Sequence, residues 1–318
     1  MTDRPGIPIG AVSVVVICYQ QADCIARAVR SVLDQTRLDL VDRILVVDDG
    51  STDGSWNVIE RLAAEHPLVE GHRQENSGGA SAPRNRGIAL ATGTHVAFLD
   101  GDDAWTPDKL ANDLAANGRA PEAGLYYGDY DEAAAGEPPR RPRVNRFDAR
   151  DAHAFGRLYA EGGPILPSTA LVLREALAEV GGFDEALRYN EEADLWLRLA
   201  ARYPLQHVGA VQLNKTAWEG SLGSDRFAAE SLAVHRLLTD RFAARHPELA
   251  RWRPAREARI AVREGALAFA RGDRAAARRA FGCAVRRDPA RRKAWAYLAL
   301  SCLPARGAAL LQNRLRTS

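Results

Sequence analysis

"RILVVDDGSTDGS" (43–55) sets four aliphatic residues, Ile44 to Val47, directly against Asp48 and Asp49. An unbroken run of Ile, Leu and Val predicts a strand covered on both faces, as in a parallel sheet sandwiched by helices, because no alternate position is left polar for water. "VSVVVIC" (12–18) and "HVAFLD" (95–100) have the same character. Between them, "CIARAVRSVLDQ" (24–35) and "SWNVIERLAAEH" (55–66) space apolar residues three or four apart, as a helix with one core face does. Alternating β and α elements predict a layered α/β fold.

Further along, "GLYYGDYD" (124–131) reads as another strand, and the prolines and charges of "AAAGEPPRRPRVNRF" (133–147) predict a mobile surface loop. "ALAEVGGFDEALRYNEEADLWLRLAARYP" (176–204) predicts a short helix, a Gly-Gly turn and a helix over about 191–202. Neither GxGxxG nor GxxxxGKS occurs in a strand-to-helix setting, so a dinucleotide or P-loop site has no support.

A composition of 46% hydrophobic and 26% charged residues excludes collagen-like and wholly disordered readings. No apolar run approaches about 18 residues, and "MTDRPGIPIG" (1–10) lacks the core of a signal peptide. A cytoplasmic location is expected. The four cysteines, Cys18, Cys24, Cys283 and Cys302, are too scattered for a disulfide framework or zinc site and are expected to be reduced, mostly buried thiols.

The net charge of +2 hides an asymmetry: residues 251–318 carry +13 and residues 1–250 carry −11. Such a basic tail suits an anionic lipid surface, an acidic protein surface or the acidic part of its own chain, and equally a solvated arginine-rich helical face. Nucleic acid is not expected as a partner. Counting from Ala258, residues Gly265, Ala277, Phe281, Ala284 and Pro289 fall at positions 8, 20, 24, 27 and 32. Trp295 and Leu298 then begin a second unit, which is tetratricopeptide spacing with its period of about 34 residues. An unrelated helical hairpin accounts for the same pattern. Because one and a half such units cannot stabilise themselves, the segment 255–303 is expected to be helical and docked, with Phe281 and Trp295 buried.

The conspicuous acids lie where strands end: Asp48 and Asp49 after one, and Asp100, Asp102 and Asp103 in "FLDGDDAW" (98–105) after another. That edge is where open α/β sheets bind ligands. "DDGS" alone reads equally well as a turn and helix cap. In "QENSGGASAPRNRGIALATG" (74–93), Gly78, Gly79 and Ala80 predict a close turn opening a helix to Leu90, with Arg84 and Arg86 early in it, a setting suited to phosphate. Side-by-side carboxylates repel. A divalent cation such as Mn²⁺ or Mg²⁺, bridging carboxylate to diphosphate, relieves that repulsion.

Four stretches in this order carry a resemblance: "VSVVVICYQQADCIARAVRSVLDQT" (12–36), "ILVVDDGSTDGS" (44–55), "ENSGGASAPRNRGIALATGTHVAFLDGDDAW" (75–105) and "GGFDEALRYNEEADLWLRLA" (181–200). Over about 12–220 the chain resembles the family 2 glycosyltransferases. The resemblance implies a GT-A type nucleotide-binding mixed sheet flanked by helices over 1–225; after it a linking helix is expected over 226–254 and, from the spacing above, a small all-α, basic, tetratricopeptide-like segment over 255–318. It further implies Tyr19, Asp48 and Asp49 facing the base and ribose, Arg84 and Asp100 at the nucleotide, and Asp102, the second acid of the Asp-x-Asp pattern, as metal ligand. Glu192 is the implied catalytic base, with Glu191 and Asp194 as its neighbours in register.

The chain departs from the family at two places. Glu191-Glu192 stands where Glu-Asp is usual, lengthening the base by a methylene. In "LNKTAWEGSLGS" (213–224), Trp218 takes the place of an expected histidine, with Lys215 as a substitute phosphate contact or Trp218 as plain packing. The implied activity is transfer of a sugar from a nucleotide-sugar donor, commonly UDP-linked, to an acceptor hydroxyl with inversion, in surface polysaccharide, glycolipid or other glycoconjugate synthesis. The alternative is a catalytically weak nucleotide-sugar-binding module whose repeat-like tail serves as a scaffold. Through that tail the expected partners are a membrane inner face, another protein or a second copy.

Overall fold

The computed structural model describes residues 6–134, 138–142, 144–162, 165–217 and 227–303. The chain divides into two compact units, Met1–Phe155 with Gly163–Ser221, and Gly156–Gly162 with Leu222–Ser318.

The first unit is built from β1 (Val12–Cys18), α1 (Ile25–Leu33), β2 (Val41–Asp48), α2 (Ser55–Glu65), β3 (Val69–Arg73), α3 (Ser81–Leu90), β4 (His95–Asp100), β5 (Ala104–Trp105), α4 (Lys109–Arg119) and β6 (Leu125–Ala134). After α5 (Ala154–Glu161), which crosses into the second unit, come β7 (Leu171–Leu173), α6 (Arg174–Val180), α7 (Glu191–Ala200) and β8 (Leu205–Ala217). The strands form one mixed sheet in the order β3-β2-β1-β4-β7-β6-β8-β5. Strands β1 to β4 are mutually parallel, and β7 pairs antiparallel with both β4 and β6. The expected mixed sheet with helices on it is therefore present.

Alternation along each strand explains why both faces are apolar. Val12, Val14 and Val16 share one core with Ile25, Val29 and Val32 of α1 and Ile59 and Leu62 of α2. Val15 points the other way, against α3, where Gly87 lies so close to its side chain that a Cβ there would clash. This close approach brings the buried Arg84, one turn earlier on α3, to the carboxyl edge of the sheet.

The second unit holds Gly156–Gly162, which is most of α5 and the residue after it, with α8 (Ala228–Arg245), α9 (Arg253–Ala270), α10 (Arg274–Arg287) and α11 (Arg292–Cys302). Ala258, Ala261, Ala284, Val285 and Ala294 form its small-residue core, and Phe281 is buried, stacked on Tyr297 at 5.3 Å. Trp295 corrects the expectation of burial: it is 51% exposed. It follows Ala294, which α11 turns inward, so the indole is rotated outward and donates only to the Pro289 carbonyl. The cysteines are all free, but only Cys18 is buried and Cys302 is exposed. Among the described residues no helix is long and apolar enough to cross a membrane.

Candidate functional site

Strand register sets the frame. Cys18 at the end of β1 lies beside Asp48 of β2, and Ile17 lies beside Asp100 of β4, so two acids flank one strand end. Tyr19 follows directly and is 50% exposed. Asp48 is buried; one oxygen accepts from the Ser51 N–H at 3.3 Å and the other lies 3.2 Å from Arg73 Nε. Asp49, also buried, accepts from Gln74 Nε2 (2.7 Å), the Ser77 N–H (3.1 Å) and Ser77 Oγ (3.0 Å). Asp48 thus braces the turn that it opens, as the turn reading anticipates, whereas Asp49 ties that turn to the segment 74–77.

The acidic turn after β4 is cross-braced. Ser168 Oγ accepts from the Asp100 N–H at 3.1 Å and donates to Asp103 Oδ2 at 2.8 Å. Asp103 is almost wholly buried, and its other oxygen, Oδ1, has no hydrogen-bond donor and faces Lys215 Nζ at 3.9 Å. Burial pushes the Asp103 carboxyl up to about 7 against the pull of Lys215, with Asp100 and Asp102 adding to the rise. Lys215 shows the reciprocal effect: burial opposes its charge, but Asp103, Asp100 and Asp102 hold its ammonium above the usual range. Arg27 of α1 donates to the Asp102 carbonyl at 2.5 Å and to Thr216 Oγ1 at 3.1 Å, tying the acidic turn to β8.

Arg84 joins the two acidic groups. Its Nη2 lies 2.7 Å from Asp100 Oδ1 and its Nη1 lies 2.7 Å from Glu191 Oε1, with Phe183 under the guanidinium at 5.2 Å. Burial opposes the Arg84 charge, but the two carboxylates outweigh it and raise its affinity for the proton. At 3% exposure, Arg84 itself presents almost no surface at this edge. Glu191 and Glu192 open α7 in its first turn. Glu191 is taken by Arg84, whereas Glu192 is closely surrounded yet keeps part of its surface open. Burial first, and the Glu191 carboxylate second, push Glu192 up to about 8. Asp194 lies deeper and its carboxylate is bound by Arg198 at 2.7 Å, a pair within α7 that sets it apart from the Arg84 cluster. Trp218 lies outside the described residues.

Among the described residues no three His, Cys, Asp or Glu side chains form a metal cage. The donors at the β4 end are all carboxylate oxygens, the choice of hard cations such as Mg²⁺ and Mn²⁺. Asp103 Oδ1 is a buried oxygen with no hydrogen-bond donor. Carboxylates of this kind would suit a hard cation. Sequence reasoning did not find Ser168 or Arg27: a serine in "LPSTALVLR" (166–174) and an arginine on a helix are commonplace. The only signal was that a buried Asp103 requires a donor.

The profile of glycosyl transferase family 2 matches residues 13–181. The chain is 32% identical over 103 residues to WfaP of Escherichia coli, a UDP-Glc:alpha-D-GlcNAc-diphosphoundecaprenol beta-1,3-glucosyltransferase, covering 32% of this chain and 39% of WfaP. It is 28% identical over 195 residues to the glycosyltransferase GlyG of Streptococcus pneumoniae, covering 58% of this chain and 63% of GlyG. The matched segment therefore spans less than two thirds of either relative. Among solved structures, S. aureus TarS in complex with UDP-GlcNAc superposes with a TM-score of 0.64 at 18% identity, over 89% of this chain and 83% of that one. This likeness extends the shared fold, a GT-A-like mixed sheet followed by helices, over most of the chain.

Proposed function

The chain belongs to glycosyl transferase family 2, and on that premise we propose that it transfers a sugar from a UDP-linked donor to an acceptor hydroxyl with inversion, in the synthesis of a surface polysaccharide, glycolipid or other glycoconjugate. The observation that carries the reading is the partly open Glu192 carboxyl, raised to about 8 beside a Glu191 that Arg84 holds in place. A base works best when its proton affinity lies near the working pH. The UDP-linked donor is supported by the substrate in the name of WfaP and by the UDP-GlcNAc bound to TarS.

In this mechanism Glu192 takes the acceptor's proton as the acceptor oxygen bonds to the anomeric carbon. The bond from that carbon to the diphosphate oxygen breaks on the opposite face, and its electron pair leaves with the nucleotide. Tyr19, Asp48 and Asp49 border the nucleoside side, and Lys215 adds a fixed positive charge beside the acidic turn. Asp102 would hold Mn²⁺ or Mg²⁺, which would supply positive charge against a diphosphate leaving group, and Asp100 stays with the nucleotide side. We read the C-terminal helices as a tetratricopeptide-like unit whose basic surface suits an anionic membrane, a protein or a second copy.

Asp102→Asn tests the reading, because an amide lacks the anionic oxygen that fixes a hard cation. Turnover of UDP-glucose and UDP-GlcNAc with Mn²⁺ should fall about 10²-fold or more, and Mn²⁺ binding followed by electron paramagnetic resonance should weaken, with the melting temperature unchanged. Full turnover in excess EDTA sinks the metal assignment. Failure to bind or turn over any UDP-sugar sinks the donor assignment.

A further inference from the structure

Three arginines converge in the second unit beside the carboxyl end of α5. Arg256, Arg259 and Arg263 of α9 line a small cleft together with His235 and Gly162. Arg256 is buried and its hydrogen bonds are made: it donates to Thr239 Oγ1 (2.6 Å), the Tyr159 carbonyl (2.5 Å) and the His235 carbonyl (3.3 Å). Arg263 donates to His235 Nε2 at 2.5 Å. The imidazole accepting there is neutral, and burial, followed by the three arginines, drives its pKa far below the usual value.

Arg259 is the anomaly. It has no hydrogen-bond partner among the described residues. Burial pushes its guanidinium down to about 9, and of the groups acting on it most strongly Arg263, Arg256 and Arg291 lower it further while only Glu161 raises it. Gly162, at φ +67°, makes room for it: a Cβ there would stand 2.6 Å from Arg259 Nη1. A half-buried guanidinium among like charges is best served by an anion, and of the described groups that act on it most strongly only Glu161 supplies negative charge.

We propose that this cleft is an anion site for a phosphate group, presented by inorganic phosphate or by a phosphomonoester lipid headgroup, with Arg259 as principal donor. The cleft has room for about one water molecule, so one phosphate oxygen enters while the rest stays at the mouth. Phosphate suits the place better than carboxylate, because it brings up to two negative charges and several acceptor oxygens to forked guanidinium donors. The site is independent of the sugar-transfer reading.

Melting of the full chain in Hepes, with phosphate or chloride added at matched ionic strength, tests it. Wild type should show a saturable, phosphate-specific rise of about 3 °C or more, and ³¹P line broadening should report the bound ion. Arg259→Gln should lose both, and because it removes one of several like charges it should fold and melt no lower in Hepes alone. Arg286→Gln, an exposed arginine on α10, should behave as wild type. Cosedimentation with phosphatidylcholine vesicles containing phosphatidic acid, lost in Arg259→Gln, would assign the lipid source; a response to free phosphate alone would assign the ion. A chloride-sized response in wild type, or an undiminished phosphate response in Arg259→Gln, overturns the proposal.

Discussion

Arg84 and Glu191 meet at 2.7 Å across 107 residues of sequence. The contact joins α3 to the first turn of α7, and because the other arm of the guanidinium holds Asp100, one side chain sets the spacing between the acidic edge of the sheet and the candidate base. Arg84→Met would leave Glu191 enclosed without its counter-ion. Breaking a buried pair in this way costs about 3–5 kcal/mol. Calorimetry should show a large fall in melting temperature, with Arg84→Lys only partly restored, since an ammonium cannot fork to two carboxylates. Wild-type melting in Arg84→Met would mean that the bridge carries no stability.

The raised acids make a stability prediction with a definite sign. Glu192 rises from 4.5 to about 8 and Asp103 from 3.8 to about 7 on folding. Between the unfolded and folded values the native chain binds more protons, so the stability these groups contribute is complete at low pH and is lost as pH rises through the folded pKa. His95, lowered by burial from 6.5 to about 4, has the opposite sign, and its contribution levels off only above about pH 7.5, once the unfolded imidazole has lost its proton. Melting temperature, measured without metal or nucleotide, should decline between about pH 7.5 and 8.5 in wild type and decline less in Glu192→Gln. Equal slopes would count against an enclosed Glu192.

Much of the sheet was legible in the chain. Strands buried on both faces must be continuously aliphatic, so β1, β2 and β4 announced themselves, as did α3 after its glycine turn and α7 after the Gly-Gly turn. β5 and β7, of two and three residues, are too short for any period to show. β8 mixes Gln206, His207 and Gln212 into its run because it is stabilised by a long pairing with β6 rather than by its own pattern. At the site, the acids were visible as types and spacings. Their partners were not: Arg84 reaching Glu191, Ser168 bracing Asp103 and Arg27 holding the Asp102 carbonyl are contacts between distant segments, created by the fold.

Phe281 and Trp295 should separate in the C-terminal helices. Phe281 is buried, and replacing such a ring by Ala typically costs about 3–5 kcal/mol because a cavity remains. Trp295 is half exposed, so Trp295→Ala should stay within about 1 kcal/mol of wild type. Urea unfolding measures both. A Trp295→Ala loss as large as that of Phe281→Ala would show that the indole is covered in solution.

Glu192 carries the sharpest prediction, because the chain departs there from the Glu-Asp pair that its family resemblance implies. As general base, its carboxylate must come within about 2.6–3.2 Å of the acceptor hydroxyl. Glu192→Gln keeps the shape and cannot take the proton, so kcat should fall about 10²-fold or more while donor binding changes little. The pH profile adds a second reading. In the free enzyme kcat/KM should rise with pH to a limb near 8, a value belonging to the coupled Glu191 and Glu192 pair. Glu191→Gln removes the neighbouring negative charge that raises Glu192 and should move that limb to lower pH. Glu192→Asp asks whether the backbone of α7 is placed for the longer arm: a large loss says that it is, and retained turnover says that the site tolerates a retracted carboxylate. If Glu192→Gln turns over normally while Asp194→Asn is dead, the base lies one helical step away, and Asp194 must first be released from Arg198 to act.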